Sequence, residues 1–267
     1  MRRARVVIAT VGLALSILWF TPPLVFNLGV VVVIVLATRE LFLLHSTGNP
    51  NAIYRRVGLI AAGLLPFQML AVPQVPIGVS IPLLLAVLLS ATVVTTKGPS
   101  AEEFHDLLFV MFGVVYMGGM LGQLIPIRNA RLGRELTAIL IVTILAREAG
   151  ATLGGLLFPS GKLLNGNINP KKSYVGALVG MGAAVGVASI LSQYVAGGLT
   201  LPRAVLFGCS LGVACQLGDL SESYVKRVAR RRHSGNLLGP EGGLLDFLDA
   251  AAFAMPVARL MLVRWGN

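Results

Sequence analysis

Residues 218–249 read GDLSESYVKRVARRRHSGNLLGPEGGLLDFLD. The stretch holds Asp219, Glu222, Glu241, Asp246 and Asp249, five of the eleven acidic residues, and Lys226, Arg227, Arg230, Arg231 and Arg232, five of the twenty-two Lys and Arg residues. Long apolar runs flank it on both sides. A charged segment hung between membrane-length runs points to a phosphate and metal site at a membrane surface, and the rest of the chain is read outward from it.

The chain is 267 residues long, 55% hydrophobic and 12% charged, against about 25% charged in ordinary soluble domains. Its mean hydropathy is +0.81. Runs long enough to cross a bilayer recur from end to end. Backbone groups in hydrocarbon must be satisfied within their own segment, so the expectation is an all-α polytopic membrane protein. About nine spans are expected, near 6–21, 25–45, 57–73, 76–97, 106–127, 135–157, 173–194, 200–218 and 247–264. The opening MRRAR followed by VVIATVGLALSILWF resembles a signal peptide. No small-x-small cleavage site follows, so it reads as a retained span.

Residues 1–100 are read as N-terminal transmembrane helices and 101–267 as a C-terminal region carrying the chemistry. The net charge of +11 concentrates between spans. It suits cytoplasmic loops near anionic lipid, or an anionic substrate, rather than nucleic acid. Placing Arg2, Arg3 and Arg5 in the cytoplasm puts Arg55, Arg56, Lys97, Lys171, Lys172 and the 219–246 connection on the same side. Arg128, Arg131 and Arg134 then fall outside, unless a span is miscounted or that connection is held within the protein. The two cysteines, Cys209 and Cys215, lie in one apolar run and have no metal-ligand spacing. Arg39 and Glu40 read as an interfacial pair.

Asp219, Glu222, Lys226 and Arg230 recur every three to four residues and share one helical face with Ser223. Asp246 and Asp249 share a face at the mouth of the last span. Carboxylates from two helix ends suit Mg²⁺, a hard cation that takes a few carboxylates plus phosphate oxygens. Lys226 and Arg227 complement phosphate charge. Ser234, Gly235, Asn236, Gly242 and Gly243 let backbone N–H groups approach a phosphate. The bland alternative makes these residues interfacial anchors and surface ion pairs of little energetic weight.

The stretch resembles the signature of phosphatidate cytidylyltransferases, the CDP-diacylglycerol synthases, roughly S-x-x-K-R-x4-K-D-S-G-N-x-x-P-G-H-G-G-x-x-D-R-x-D. Ser223, Lys226, Arg227, Ser234, Gly235, Asn236, Gly242, Gly243, Asp246 and Asp249 match without a gap. His233, Glu241 and Phe247 depart from it, and Gly239-Pro240 reverses the family's Pro-Gly. An earlier segment, Glu148-Ala149-Gly150 and Asn169-Pro170-Lys171-Lys172-Ser173-Tyr174-Val175-Gly176, is similar to the family's D-S-G-A-Y and S-P-K-K-T-x-E-G blocks. There Glu148 stands for an Asp, and Val175 for an acid.

The resemblance implies a membrane enzyme of phospholipid biosynthesis that joins CTP and phosphatidate into CDP-diacylglycerol and pyrophosphate. It implies Mg²⁺ at Asp219 and Asp246, with room for a second cation. Lys226, Arg227, Glu148 and Glu222 become catalytic candidates. Lys171, Lys172, Ser173, Ser223, Ser234, Gly235, Asn236, Gly242 and Gly243 become substrate-binding candidates. The implied partners are CTP, phosphatidate or another lipid phosphate, membrane lipids and a second copy as a homodimer. The implied location is the cytoplasmic membrane of a prokaryote, with the site facing the cytoplasm. The altered positions keep open a non-catalytic relative that binds lipid phosphate or nucleotide. A lipid transporter is the other alternative.

Overall fold

A computed structural model describes residues 19–45, 52–71, 77–95, 98, 100–158, 163–194, 199–231, 233–235, 237 and 242–265. Eight long helices follow in chain order: α1 (Pro23–Phe42), α2 (Ala52–Ala71), α3 (Ile77–Thr95), α4 (Ala101–Arg128), α5 (Gly133–Leu157), α6 (Tyr174–Ser192), α7 (Leu201–Val228) and α8 (Leu244–Arg264). They stand where the second to ninth expected spans fall. Among the described residues six of them, all but α2 and α8, are long and apolar enough to cross a membrane. Most of the first expected span, 6–21, lies outside the described residues.

The helix boundaries follow local chemistry. Pro23 opens α1 at a position where its missing N–H costs nothing. Ser100 caps α4, its Oγ accepting from Glu103 N, and Glu102 and Glu103 sit where the helix dipole favours acids. Within α4 the ladder changes register. Val114–Met120 is π-helical and Leu121–Gln123 is a 3₁₀ turn, before Leu124–Arg128 closes the helix.

Helices α5, α6, α7 and α8 pack each against the next. Close approach replaces hydrophobic burial as the packing principle in lipid. A Cβ on Gly180 would come within 2.7 Å of the Arg147 carbonyl oxygen, and one on Gly218 within 2.5 Å of the Asp249 carbonyl. The second contact presses the charged part of α7 against the start of α8. Large apolar side chains face outward on α3, among them Val79, Leu83, Val87, Val93 and Val94, as on a lipid-exposed helix.

Two features differ from expectation. Helix α7 runs ten residues beyond the expected end of its span, so Asp219, Glu222, Ser223, Lys226 and Arg227 ride on helix rather than loop. The connection before α6 forms a hairpin, β1 (Leu163–Asn165) antiparallel to β2 (Asn169–Ser173), with Asn165 opposite Asn169. Arg128 is buried, its guanidinium 5.4 Å above the Phe26 ring, so this end of α4 is held within the protein.

Candidate active site

The site forms where α5, β2, α7 and α8 meet. Helix α5 contributes Arg147 and Glu148. Arg147 is 1% exposed, and it is the largest side chain among the fully buried ones. Its Nη1 donates to Glu148 Oε2 and to Asp219 Oδ2, both at 2.7 Å, and its Nη2 donates to Gln216 Oε1 at 2.7 Å. From β2, Lys172 Nζ reaches the same Asp219 Oδ2 at 2.6 Å and Glu148 Oε1 at 3.4 Å. Burial disfavours the Lys172 ammonium, but the Asp219 and Glu148 carboxylates outweigh it and hold its pKa above the ordinary lysine value. One oxygen of Asp219 thus gathers two cations brought from separate elements.

About two helical turns further along α7, Lys226 pairs with Glu222 on its own helix and with Asp246 Oδ1 of α8 at 2.7 Å. Asp246 also accepts from Gly243 N at 2.7 Å and Ser234 N at 3.1 Å. It therefore reaches back to the N-cap residue of α8, as the acid of a capping box does, and also holds a backbone donor of the preceding loop. Gly242 takes φ +124°, which L side chains rarely adopt, and turns the chain toward Asp246. His233, at the position where the family signature has Asp, is exposed with Nδ1 3.8 Å from Asp246 Oδ2.

A cavity of about 840 Å³ opens onto these groups. Glu148, Asn169, Lys172, Asp219, Glu222, Ser223, Lys226, Asp246 and Asp249 form its polar end. Val25, Val30 and Val33 of α1, Leu121 and Leu124 of α4 and Ile141 and Ile144 of α5 form an apolar wall in the same space. One void therefore offers a charged end and a hydrocarbon-like end, as an amphiphile with an anionic head requires.

The polar end has an excess of acid. Glu148, Asp219, Glu222, Asp246 and Asp249 carry five formal negative charges, against three positive charges on Arg147, Lys172 and Lys226. Acidic side chains thus outnumber basic ones by two in a partly buried space. Glu222 is 2% exposed, and its Oε1 is buried without a hydrogen-bond partner while Lys226 occupies the other oxygen. Among the described residues no group of three His, Cys, Asp or Glu side chains forms a ready-made metal cage. Mg²⁺ usually binds one or two carboxylates and completes its shell with water and phosphate oxygens. The surplus of acidic side chains and the orphaned oxygen fit a cation that shares its shell with a phosphorylated substrate.

Of the residues singled out from sequence, Glu148, Lys172, Asp219, Glu222, Ser223, Lys226 and Asp246 converge on this cavity. Ser223 Oγ accepts from Asn169 Nδ2 at 2.9 Å, which ties the hairpin to α7. Arg227 turns away, its Nε donating to the Ile168 carbonyl at 3.1 Å, so it braces the hairpin from the exposed side of α7. The Ser173 hydroxyl is committed to capping α6 through Gly176 N at 3.1 Å. Ser234, Gly235 and Gly243 belong to the loop leading into α8. Asn236 and the Lys171 side chain lie outside what is described.

Glu40 does not form the expected surface pair with Arg39. It is buried, and its Oε2 accepts from Leu245 N at 2.9 Å. An ionisable residue inside an apolar run is a site candidate by default, and that signal marks Glu40 in the sequence. Gln216 and Asn169 carry no comparable signal, because neutral amides next to charged motifs are commonplace.

Comparison with known proteins gives the family of the chain. A family model described as the cytidylyltransferase family matches residues 1–265. Phosphatidate cytidylyltransferase 5, chloroplastic, of Arabidopsis thaliana is 29% identical over 265 residues, covering 88% of this chain and 65% of the relative. A phosphatidate cytidylyltransferase of Staphylococcus saprophyticus is 30% identical over 178 residues, 67% of this chain and 66% of the relative. One from Helicobacter pylori is 37% identical over 119 residues, 43% of this chain and 42% of the relative. The chain spans just under two thirds of the length of the Arabidopsis relatives it matches.

Proposed function

The chain belongs to the cytidylyltransferase family, and on that premise we propose that it transfers the cytidylyl group of CTP to phosphatidate, yielding CDP-diacylglycerol and pyrophosphate. The observation that carries this reading is the single cavity with a charged end and an apolar wall. It accepts a lipid phosphate with its acyl chain in one continuous space.

In the reaction a phosphate oxygen of the lipid attacks the α-phosphorus of CTP. The new P–O bond forms as the bond to the bridging oxygen breaks, and pyrophosphate leaves with that electron pair. The chain's part is positioning and electrostatics rather than covalent chemistry. Lys172 and Lys226, each already shared between two carboxylates, offer ammonium donors to phosphate oxygens. Lys171, Ser173, Ser234 and Asn236 belong to the flanking phosphate-binding segments. Glu148 and Glu222 hold the two lysines at the cavity. Arg227 supports the site through the hairpin rather than by reaching the cavity. Asp219 and Asp246 would hold Mg²⁺, which would neutralise charge on the triphosphate. The same reading places the catalytic region in 101–267, in the cytoplasmic membrane of a prokaryote, with the site toward CTP in the cytoplasm.

The test is pyrophosphate release from purified protein in lipid vesicles supplied with CTP, Mg²⁺ and phosphatidate. Lipid-dependent release with recovery of CDP-diacylglycerol supports the reading. CTP binding without release would instead make the chain a non-catalytic relative, in keeping with His233 beside Asp246. Flux of lipid without chemistry would make it a transporter.

A further inference from the structure

The loop entering α8 is gripped by two carboxylates that lie far apart in the chain. Asp246 takes the backbone N–H groups of Ser234 and Gly243. Glu40, near the end of α1 and only 6% exposed, takes the N–H of Leu245 at 2.9 Å and the Ser234 hydroxyl at 3.4 Å. Ser234 thus gives one donor to each acid. The first N–H groups of a helix have no intrahelical acceptor, and a carboxylate placed there meets both the orphaned donor and the positive end of the dipole. The loop also wraps Glu40 closely. A Cβ on Gly235 would lie 2.6 Å from Glu40 Oε1, and one on Gly243 would collide with Oε2. Glycine at both positions is therefore set by Glu40 as much as by any substrate.

We propose that Glu40 is a positioning residue of the site. It fixes Ser234, Gly235, Gly243 and the first turn of α8, and through Ser234 and Gly243 it sets where Asp246 stands relative to Lys226 and the cavity. The consequence for catalysis rests on the assignment of Asp246 to the cation site; the consequence for the loop does not. Helix α1 then adds an acid to a site whose other charged residues, from Arg147 to Asp249, all lie beyond residue 146.

The experiment uses the full chain in lipid, as wild type, Glu40→Ala, Glu40→Gln and Glu40→Asp. Hydrogen–deuterium exchange is read over 233–246, with 201–217 as internal reference. Mg²⁺ affinity is read directly by Mn²⁺ competition, and turnover is read against Mg²⁺ concentration. Glu40→Ala should speed exchange in 233–246 by about tenfold or more, the loss of a charge-assisted hydrogen bond, and leave 201–217 unchanged. It should weaken Mg²⁺ affinity and raise half-activating Mg²⁺ by a similar factor, while KM for phosphatidate stays within about twofold. Glu40→Gln retains an acceptor for Leu245 N–H and should recover most of the difference. Glu40→Asp, whose carboxylate stands one methylene short of Leu245 N–H and the Ser234 hydroxyl, carries the test if the alanine variant fails to fold, and should speed exchange in 233–246 severalfold. Unchanged exchange in 233–246 would overturn the proposal, as would faster exchange with unaltered Mg²⁺ affinity. An inactive wild type would refute the proposed reaction, and the exchange and Mn²⁺ measurements would still decide the role of Glu40.

Discussion

Asp219→Asn isolates charge from shape at the centre of the site. Asp219 Oδ2 accepts from Arg147 at 2.7 Å and from Lys172 at 2.6 Å, and the carboxylate is 5% exposed. Charge-assisted hydrogen bonds contribute about 1.5–3 kcal/mol each. An amide with its oxygen at the Oδ2 position still accepts from both cations, but as a neutral acceptor, so about 2–3 kcal/mol of stability is lost. That falls below the cost of stranding a buried charge, about 3–5 kcal/mol, because Glu148 still meets both Arg147 and Lys172. The variant therefore folds, with a lowered thermal midpoint in detergent. Turnover should fall much further. Removing one preorganised electrostatic group from a phosphoryl-transfer site costs about 10²–10³ in rate, and on the proposed cation assignment a cation ligand is lost as well. The assay is Mg²⁺-dependent pyrophosphate release in vesicles, normalised to folded protein. Turnover equal to wild type at saturating Mg²⁺ would refute the place of Asp219 in the cation site.

Three further outcomes are expected. Gly218→Ala drives a methyl against the Asp249 carbonyl and Ala250 Cα; overpacking costs about 1–3 kcal/mol, and separation of α7 from α8 should lower both stability and turnover, read by thermal unfolding and kcat. Gly29, on the apolar wall, has open space where a side chain would go, so Gly29→Leu should raise KM for phosphatidate severalfold and leave KM for CTP unchanged, whereas equal effects on both would place the acyl chain elsewhere. Lys172 has its pKa raised by Asp219 and Glu148, so its stabilising contribution is fully present below the ordinary lysine range and is lost only as pH climbs through the higher folded value. The difference in thermal midpoint between wild type and Lys172→Met should accordingly stay constant from pH 6 to pH 9, and a difference that vanishes within that window would contradict the ion-pair geometry.

Most of the architecture is legible from hydropathy, because lipid leaves helices as the solution for apolar runs of this length. The charged face of α7 is legible too, since Asp219, Glu222 and Lys226 recur at helical spacing inside a segment that looks like a connection. The hairpin at 163–173 is harder to see. Its strands are three and five residues long and have no alternation, and only Asn165-Gly166 marks a turn. Within the site, residue type marks Asp219, Asp246, Lys172 and Lys226 as candidate partners for phosphate and cation. Type does not say which side chains are spent on the scaffold. Ser173 becomes a helix cap, Arg227 a brace for the hairpin and Glu40 a clamp on a loop some two hundred residues away, because those roles depend on which backbone donors the tertiary fold leaves unpaired.

The central claim is that one cavity joins a lipid phosphate to CTP at Asp219 and Asp246. Its most direct test is CDP-diacylglycerol formation by the wild-type chain in vesicles, with and without chelation of Mg²⁺. The account predicts stoichiometric pyrophosphate and CDP-diacylglycerol, both abolished by chelation and restored by added Mg²⁺. Product formation that persists under chelation, or CTP binding with no product at any Mg²⁺ concentration, would contradict it.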